Sequence, residues 1–419
     1  MTLNPNELAG FRRSFVDVQT GAASENLNDL IKDMRHIQLD VDAINVFLRS
    51  GLFLRNSTAF SKIRTSDFAI PPLSEKTMST KDIVDCYIEL FRVAIRRCLI
   101  SHEGQPFAMG LSGGRDSRHI LLETCRQGVP PALAWTVGKD SDDAVIAKKI
   151  SNSVGVPHLS LDYNDTFSNE LKKNRLTNYC SWQHAWMCSV DNTFMRRFSC
   201  FYDGLGGDIL SQSSVVTRKM IKLFSENRLD ELAESFIRTE SIPLIKDSWQ
   251  PLFPPETALE LVRAELERHQ RAVNPSVSFL FANRTRRDIA ELTYGIVGSN
   301  KATIFVPYLD TDLVEFFLSL PAECTFDKQL HTRALKQAFP EISVIPFALK
   351  SPRITPDSGK ITSALLFLFL NYSPFLDHKK VYLHLVRSLF HPNSRAHLPW
   401  VISRLVYLTQ IVNPLRFLK

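Results

Sequence analysis

Apolar residues between Asn26 and Ser50 recur at helical spacing, first at Leu27, Leu30, Ile31 and Met34, then at Ile44, Val46, Phe47 and Leu48. That period predicts a helical segment. Residues 1–25 lack it and read as loosely structured. Thr65 to Thr80 is rich in Pro, Ser and Thr and reads as a linker, after which a long helix is expected over Lys81 to Ile100. Then the pattern changes. The apolar run Phe107 to Leu111 predicts a strand. It enters the turn Ser112-Gly113-Gly114 and then a helix opened by Asp116 and Ser117, with Ile120, Leu121 and Leu122 on its apolar face. That helix stops at Gly128, ahead of Pro130 and Pro131. Further strands are expected at Ala132 to Val137, His158 to Leu161 and Phe198 to Tyr202, with a helix over Asp142 to Val154 closed by Gly155-Val156-Pro157. Strands parted by helices imply βαβ units. The expected fold class is therefore α/β, a parallel sheet flanked by helices, with a mostly helical C-terminal part from about Val215. The expected division is an N-terminal helical or connector segment (1–80), an α/β domain (81–350) and a basic helical extension (351–419).

Composition adds little to this picture and removes several alternatives. With 419 residues, 44% hydrophobic and 22% charged, the chain resembles an ordinary globular protein with room for a large core. Its net charge of +6 suits an anionic substrate and is too dispersed to indicate nucleic acid. Residues 378–419 carry seven Lys or Arg and no acid, which reads as a solvated helical face or a contact for an acidic partner. The seven cysteines form no Cys-x-x-Cys pair, so reduced thiols in the cytoplasm are expected rather than a zinc site. No signal-peptide pattern opens the chain, and the greasiest run, Ala364 to Leu370, is too short to span a bilayer. No membrane insertion is expected.

The chemistry concentrates in two Gly-rich turns at the carboxyl ends of strands, where open α/β sheets bind ligands. In the first, Leu111-Ser112-Gly113-Gly114-Arg115-Asp116-Ser117, the glycines allow close approach of a phosphate. The helix N-terminus and the hydroxyls of Ser112 and Ser117 offer donors. A carboxylate in such a turn makes sense as a ligand for Mg²⁺ between phosphate oxygens, which is the role expected of Asp116. The turn lacks both Gly-x-x-x-x-Gly-Lys-Ser/Thr and Gly-x-Gly-x-x-Gly. The second turn, Asp203-Gly204-Leu205-Gly206-Gly207-Asp208, brings further carboxylates to the same edge, and Asp208 is the second expected Mg²⁺ ligand. The alternative for each turn is a plain Gly-rich connection with an aspartate capping the following helix.

Ser112-Gly-Gly-Arg-Asp-Ser117 resembles the signature of the PP-loop ATP pyrophosphatases, which implies an adenine nucleotide α-hydrolase-like fold and cleavage of ATP between the α and β phosphates. A longer series resembles the synthetase domain of the asparagine synthetase family: that turn, Trp135-Thr-Val-Gly138, Asp142-Asp143-Ala-Val-Ile-Ala147, Gly155-Val-Pro-His158, Asp203-Gly-Leu-Gly-Gly-Asp208, Val306-Pro-Tyr-Leu-Asp310, Leu313-Val-Glu-Phe316 and Leu320-Pro321. Lys350, after Ile345-Pro346, stands where the family has a lysine, and Asp40 to Ile63 resembles its interdomain connector. The resemblance implies ATP and Mg²⁺ as cofactors and amide synthesis in two steps, adenylation of a carboxylate and then attack by an amine. Asp116 and Asp208 are then metal-binding, and Ser112, Gly113, Gly114, Ser117, Gly206 and Gly207 cradle pyrophosphate. Val137 and Gly138 line the adenine edge. Lys350 either stabilises charge on the acyl-adenylate or is an exposed loop lysine. The aromatic stretch Tyr179 to Met187, with Trp182, His184 and Trp186, reads as core packing, with a pocket lining as the alternative.

Three departures from the family shape the expected activity. Residue 2 is Thr2, not the glutaminase cysteine. Thr303-Ile304-Phe305 replaces the usual Glu-x-Arg, and Asp208-Ile209 replaces the usual Asp-Glu. The last change resembles branches that join a carboxylate to an amine of the same molecule, such as β-lactam synthetases and lasso-peptide cyclases. The expectation is an AMP-forming amide ligase or macrolactam cyclase acting on a carboxylate-bearing small molecule or peptide. A partner protein (a precursor peptide, a protease-like protein or a separate glutaminase) is expected with it. An ammonia-using asparagine synthetase and a non-catalytic ATP-binding scaffold are the alternatives.

Overall fold

Eight strands form two sheets among the residues described by the computed structural model, which are 11, 14–32, 37–68, 70–162, 166–190, 195–212, 215–300, 302–348, 358–390 and 397–412. The strands are β1 (Phe15–Asp17), β2 (Ala23–Ser24), β3 (Ile63–Thr65), β4 (Phe107–Gly110), β5 (Leu133–Val137), β6 (His158–Leu161), β7 (Cys200–Tyr202) and β8 (Thr303–Phe305). The larger sheet is entirely parallel, in the order β6-β5-β4-β7-β8. Phe107, Ala108 and Met109 are buried on both faces of the central strand, as a parallel sheet covered by helices requires.

The helices begin where the sequence supplies caps. After α1 (Leu27–Lys32), α2 (Val41–Ser50) starts at Asp40, whose carboxylate accepts the Ala43 N–H; α3 (Thr80–Ser101) starts at Ser79, which accepts from Asp82. α4 (Asp116–Arg126) follows the first Gly-rich turn. α5 (Asp142–Ser153) starts at Ser141, which accepts from Ala144, and α6 (Phe167–Leu176) follows β6. The helical segment expected over 26–50 is thus two helices. Gly51 ends α2 at φ 79°, in the left-handed region that glycine adopts without strain.

Two features depart from the sequence expectation. The N-terminal segment expected to be loosely structured contains β1 and β2, which pair antiparallel with each other, and β1 pairs with β3. Strands of two or three residues are too short to show a period of two. The fifth parallel strand, β8, is not among the expected strands either, because a long helical insertion separates it from β7.

Residues from the two ends of the chain share one hydrophobic core, in which Phe15, Leu27, Phe47 and Phe53 pack with Trp400, Leu405 and Tyr407. The basic C-terminal stretch is therefore not a uniformly solvated face. The helix Leu398–Val412 is buried along most of its length, and Arg404 lies inside it, against Phe47, Trp182 and Trp400. Among the described residues no helix is long and apolar enough to cross a membrane.

Sheet topology marks where a ligand fits. From β4 the chain steps outward to β5 and β6, then returns past β4 to β7 and β8. The loops leaving β4 and β7 therefore diverge, and open α/β sheets bind ligands in the crevice at that reversal.

Candidate functional site

A cleft of about 870 Å³ opens at this reversal. It is lined by Leu111, Ser112, Asp116 and Ser117 from the first Gly-rich turn, Val137 and Gly138 from the end of β5, and Asp203 and Asp208 from the second turn. Most of the expected site residues thus face one space. Gly113, Gly114, Gly206 and Gly207 lie outside the lining and let the two turns form. A Cβ on Gly207 would stand 2.9 Å from Asp116 Cγ, and one on Gly204 would stand 3.3 Å from Asp116 Cβ, so glycines allow the second turn to close on Asp116. Gly206 has φ 90°. A Cβ on Gly113 would meet that of Ala348 at 2.5 Å. Lys350 lies outside the described residues. The segment leading to it is fastened to the first turn: the Ala348 N–H donates to the Gly113 carbonyl, and Arg118 donates to the carbonyls of Gly113, Ile345 and Pro346.

The first turn is held by its own hydrogen bonds. Ser112 N–H donates to Ser117 Oγ, Gly114 N–H to Ser112 Oγ and Gly113 N–H to Asp143 Oδ1 at 2.9 Å. Asp143 thus shapes the turn, a role that its place at the start of α5 did not reveal. Unlike α2, α3 and α5, α4 has no side-chain cap. Its first N–H groups and positive dipole end stand beside the hydroxyls of Ser112 and Ser117, which suits an anion.

The two principal carboxylates sit in opposed electrostatic settings. Burial pushes the Asp116 carboxyl up, but Lys328, His331 and Arg115 together outweigh it and hold the group below its usual range. Lys328 Nζ is 3.7 Å from Asp116 Oδ2, and His331 Nδ1 is 3.2 Å from Oδ1. His331 is fully buried, with Nε2 3.2 Å from Tyr308 Oη. Asp208 is pushed up by burial and by Asp116, against the pull of Arg284, whose Nη1 is 3.8 Å away. Asp203 is also pushed up by burial; one of its oxygens accepts the Leu205 N–H, so it braces its own turn.

The chain matches no known family model and no curated protein.

Several residues in and beside the cleft carry no separate signal in the sequence. Arg284 sits in a stretch with several arginines, and Lys328 and His331 sit in a helix start without a motif. The aromatic segment divides between its two readings, core and pocket lining. Trp182 packs against Trp400, whereas His184 and Trp186 line the cleft. The reason is local: His184 has φ 59°, which turns the chain out of helical spacing at that residue.

Proposed function

We propose that this chain is an ATP-dependent, AMP-forming amide ligase of the asparagine synthetase type with a PP-loop. The observation that carries the reading is the meeting of two Gly-rich turns across the sheet reversal, with the carboxylates of Asp116 and Asp208 in one cleft. Ser112, Ser117 and the uncapped start of α4 suit the β and γ phosphates. Val137 and Gly138, at the other end of the same lining, suit the adenine. Among the described residues no three His, Cys, Asp or Glu side chains gather to hold a metal by themselves. That fits Mg²⁺ arriving with ATP, since this ion uses one or two carboxylates and completes its octahedron with phosphate oxygens and water. When bound, it neutralises charge on the departing pyrophosphate.

The chain's own residues supply the rest. A substrate carboxylate oxygen attacks the α-phosphorus, the bond to the bridging α–β oxygen breaks, and pyrophosphate leaves with that electron pair. Lys328 and Arg115 keep Asp116 ionised and therefore able to bind metal. An amine then attacks the acyl carbon, AMP leaves and one proton is released. The replacement of Asp-Glu by Asp208-Ile209 supports an amine carried by an organic molecule, as in lactam or macrolactam closure, with a peptide or small molecule as substrate.

The test is isotope exchange between pyrophosphate and ATP in the presence of Mg²⁺ and a panel of carboxylic acids. Acid-dependent exchange and AMP as the nucleotide product are expected, and Asp116→Asn is expected to abolish both. Release of ADP in place of AMP, or full exchange in Asp116→Asn, overturns the reading.

A further inference from the structure

The phosphate and adenine contacts use only part of the cleft. The remaining wall comes from the helical stretch Pro275–Ile296, which winds with wide, π-helical turns over Phe281–Ile289, together with the segment following His184. Its apolar members are contiguous. Leu292 packs with Met187 and Ile289 in one small cluster, and Met187 and Val297 also flank a cavity behind the wall. Trp186 joins them at the cleft surface, its Nε1–H donating to His184 Nδ1.

Among the described residues the cleft lining carries Lys139, on the loop after β5, and Arg284, which belongs to this wall. Arg284 Nη1 is buried and makes no hydrogen bond, and at 3.8 Å its approach to Asp208 is too long for one. A buried guanidinium N–H without an acceptor is costly, and an incoming carboxylate matches its fork geometry. His184 is exposed at the cleft edge; desolvation, then Arg284 and Lys173, push its pKa down, and because Nδ1 accepts from Trp186 the neutral ring carries its proton on Nε2. The carboxylates of the cleft, Asp116, Asp140, Asp143, Asp162, Asp203 and Asp208, belong to the strand-end turns and loops rather than to this apolar wall.

We propose that the acid activated in this cleft carries its carboxylate on an apolar or aromatic body, with Arg284 binding the carboxylate and Trp186, Met187, Ile289, Leu292 and Val297 enclosing the body. The inference rests on the adenylation reading and adds a substrate class to it. A small polar zwitterion such as aspartate leaves this apolar wall unfilled. Each methylene placed in a hydrophobic pocket is worth roughly 10-fold or more in discrimination.

The experiment measures pyrophosphate exchange with 3-phenylpropionate and hexanoate against succinate and aspartate, with MgATP binding followed separately by calorimetry. The two apolar acids are expected to exceed the two polar ones by about 100-fold in kcat/KM. Arg284→Gln removes a charge-assisted hydrogen bond to the carboxylate and is expected to raise KM for 3-phenylpropionate by about 10-fold or more. Trp186→Ala, at a partly exposed position, is expected to raise KM for 3-phenylpropionate more than for succinate, and an equal change for both acids overturns the apolar enclosure. Preference for succinate or aspartate overturns the inference, as does exchange with none of the four acids by a protein that binds MgATP. An unchanged KM in Arg284→Gln also overturns it. Absence of MgATP binding in the wild type overturns the adenylation reading instead, so the two failures are distinguishable.

Discussion

Gly207→Ala separates a functional contact from a merely structural turn. The added Cβ would lie 2.9 Å from Asp116 Cγ and 3.0 Å from both Cβ and Oδ1. The atoms that must give way are therefore those of a short side chain, not the end of a flexible one. Restoring an ordinary contact of 3.4 Å requires a shift of about 0.5 Å, set against contacts with His331 and Lys328 on the other side of the carboxylate. For stability two effects oppose. Gly207 opens a short helix, where alanine gains about 0.5–1 kcal/mol, and overpacking costs about 1–3 kcal/mol. The net loss is about 0–2 kcal/mol, a few degrees in Tm at most. Displacing a metal-binding carboxylate or its support weakens affinity by about 10–100-fold. The variant is thus expected to keep its fold by calorimetry and near-UV circular dichroism while its Kd for MgATP rises by that factor. A Kd within twofold of wild type, at unchanged Tm, refutes the argument that the two turns meet in order to place Asp116.

Three further outcomes are expected. Gly295→Ala places a Cβ 2.2 Å from the carbonyl oxygen of Leu176, a backbone atom held at the end of α6, so chemical denaturation is expected to show a loss of about 3 kcal/mol; a loss under 1 kcal/mol refutes the close packing. Burial raises the Glu170 carboxyl, but Lys173 at 3.0 Å and Lys360 at 3.2 Å outweigh burial and hold it below the usual carboxylate range. A depressed folded value stabilises fully above the unfolded one and is lost as pH falls through the folded one, so the urea midpoint is expected to drop below about pH 4.3 more steeply in wild type than in Glu170→Gln. Equal slopes refute it. Arg404 is fully buried and pulled down to about 9 by burial, and neither Nη atom has a hydrogen bond. Three cation–π contacts offset that desolvation, so Arg404→Met is expected to fall within about 1 kcal/mol of wild type in stability, and a loss above 3 kcal/mol shows that the ring contacts dominate.

What the sequence revealed follows from range. β4, β5 and β6, with their helices, were legible because each apolar run ends in a Gly, Pro or capping residue within a few positions of itself. The two Gly-rich turns stood out because glycines and carboxylates cluster at the ends of predicted strands, and the structure brings Asp116 and Asp208 from them into one cleft lining. Arg284, His331 and Lys328 were not, since each reaches the cleft or its carboxylates by long-range packing that no local pattern encodes. β8 is three residues long and acquires meaning only beside β7. His184 and Trp186 escape the pattern for a different reason. Helical spacing does not carry through a residue that adopts a left-handed conformation.

The stretch around Arg284 explains why the cleft depends on parts of the chain far from it. Its wide turns send successive side chains in different directions. Asn283 accepts from the Arg55 N–H, Arg286 donates to the carbonyls of Arg55 and Ser66, and Arg287 donates to that of Ser57, so three residues grip the N-terminal segment. Asp288 accepts from Ser181 and Gln183, which fixes the chain just before His184. Arg284 and Ile289, between and after these anchors, are the ones left to face the cleft. A regular α-helix gives residues 283 and 287 one face and leaves 284 and 288 together on the next. Here the anchors and the two cleft residues must be sorted over seven positions, and the wider i→i+5 turn allows it. The wall opposite the first Gly-rich turn is thus held by the N-terminal segment on one side and the aromatic segment on the other, through the hydrogen bonds of Asn283, Arg286, Arg287 and Asp288 added to the packing of Phe281 and Leu292.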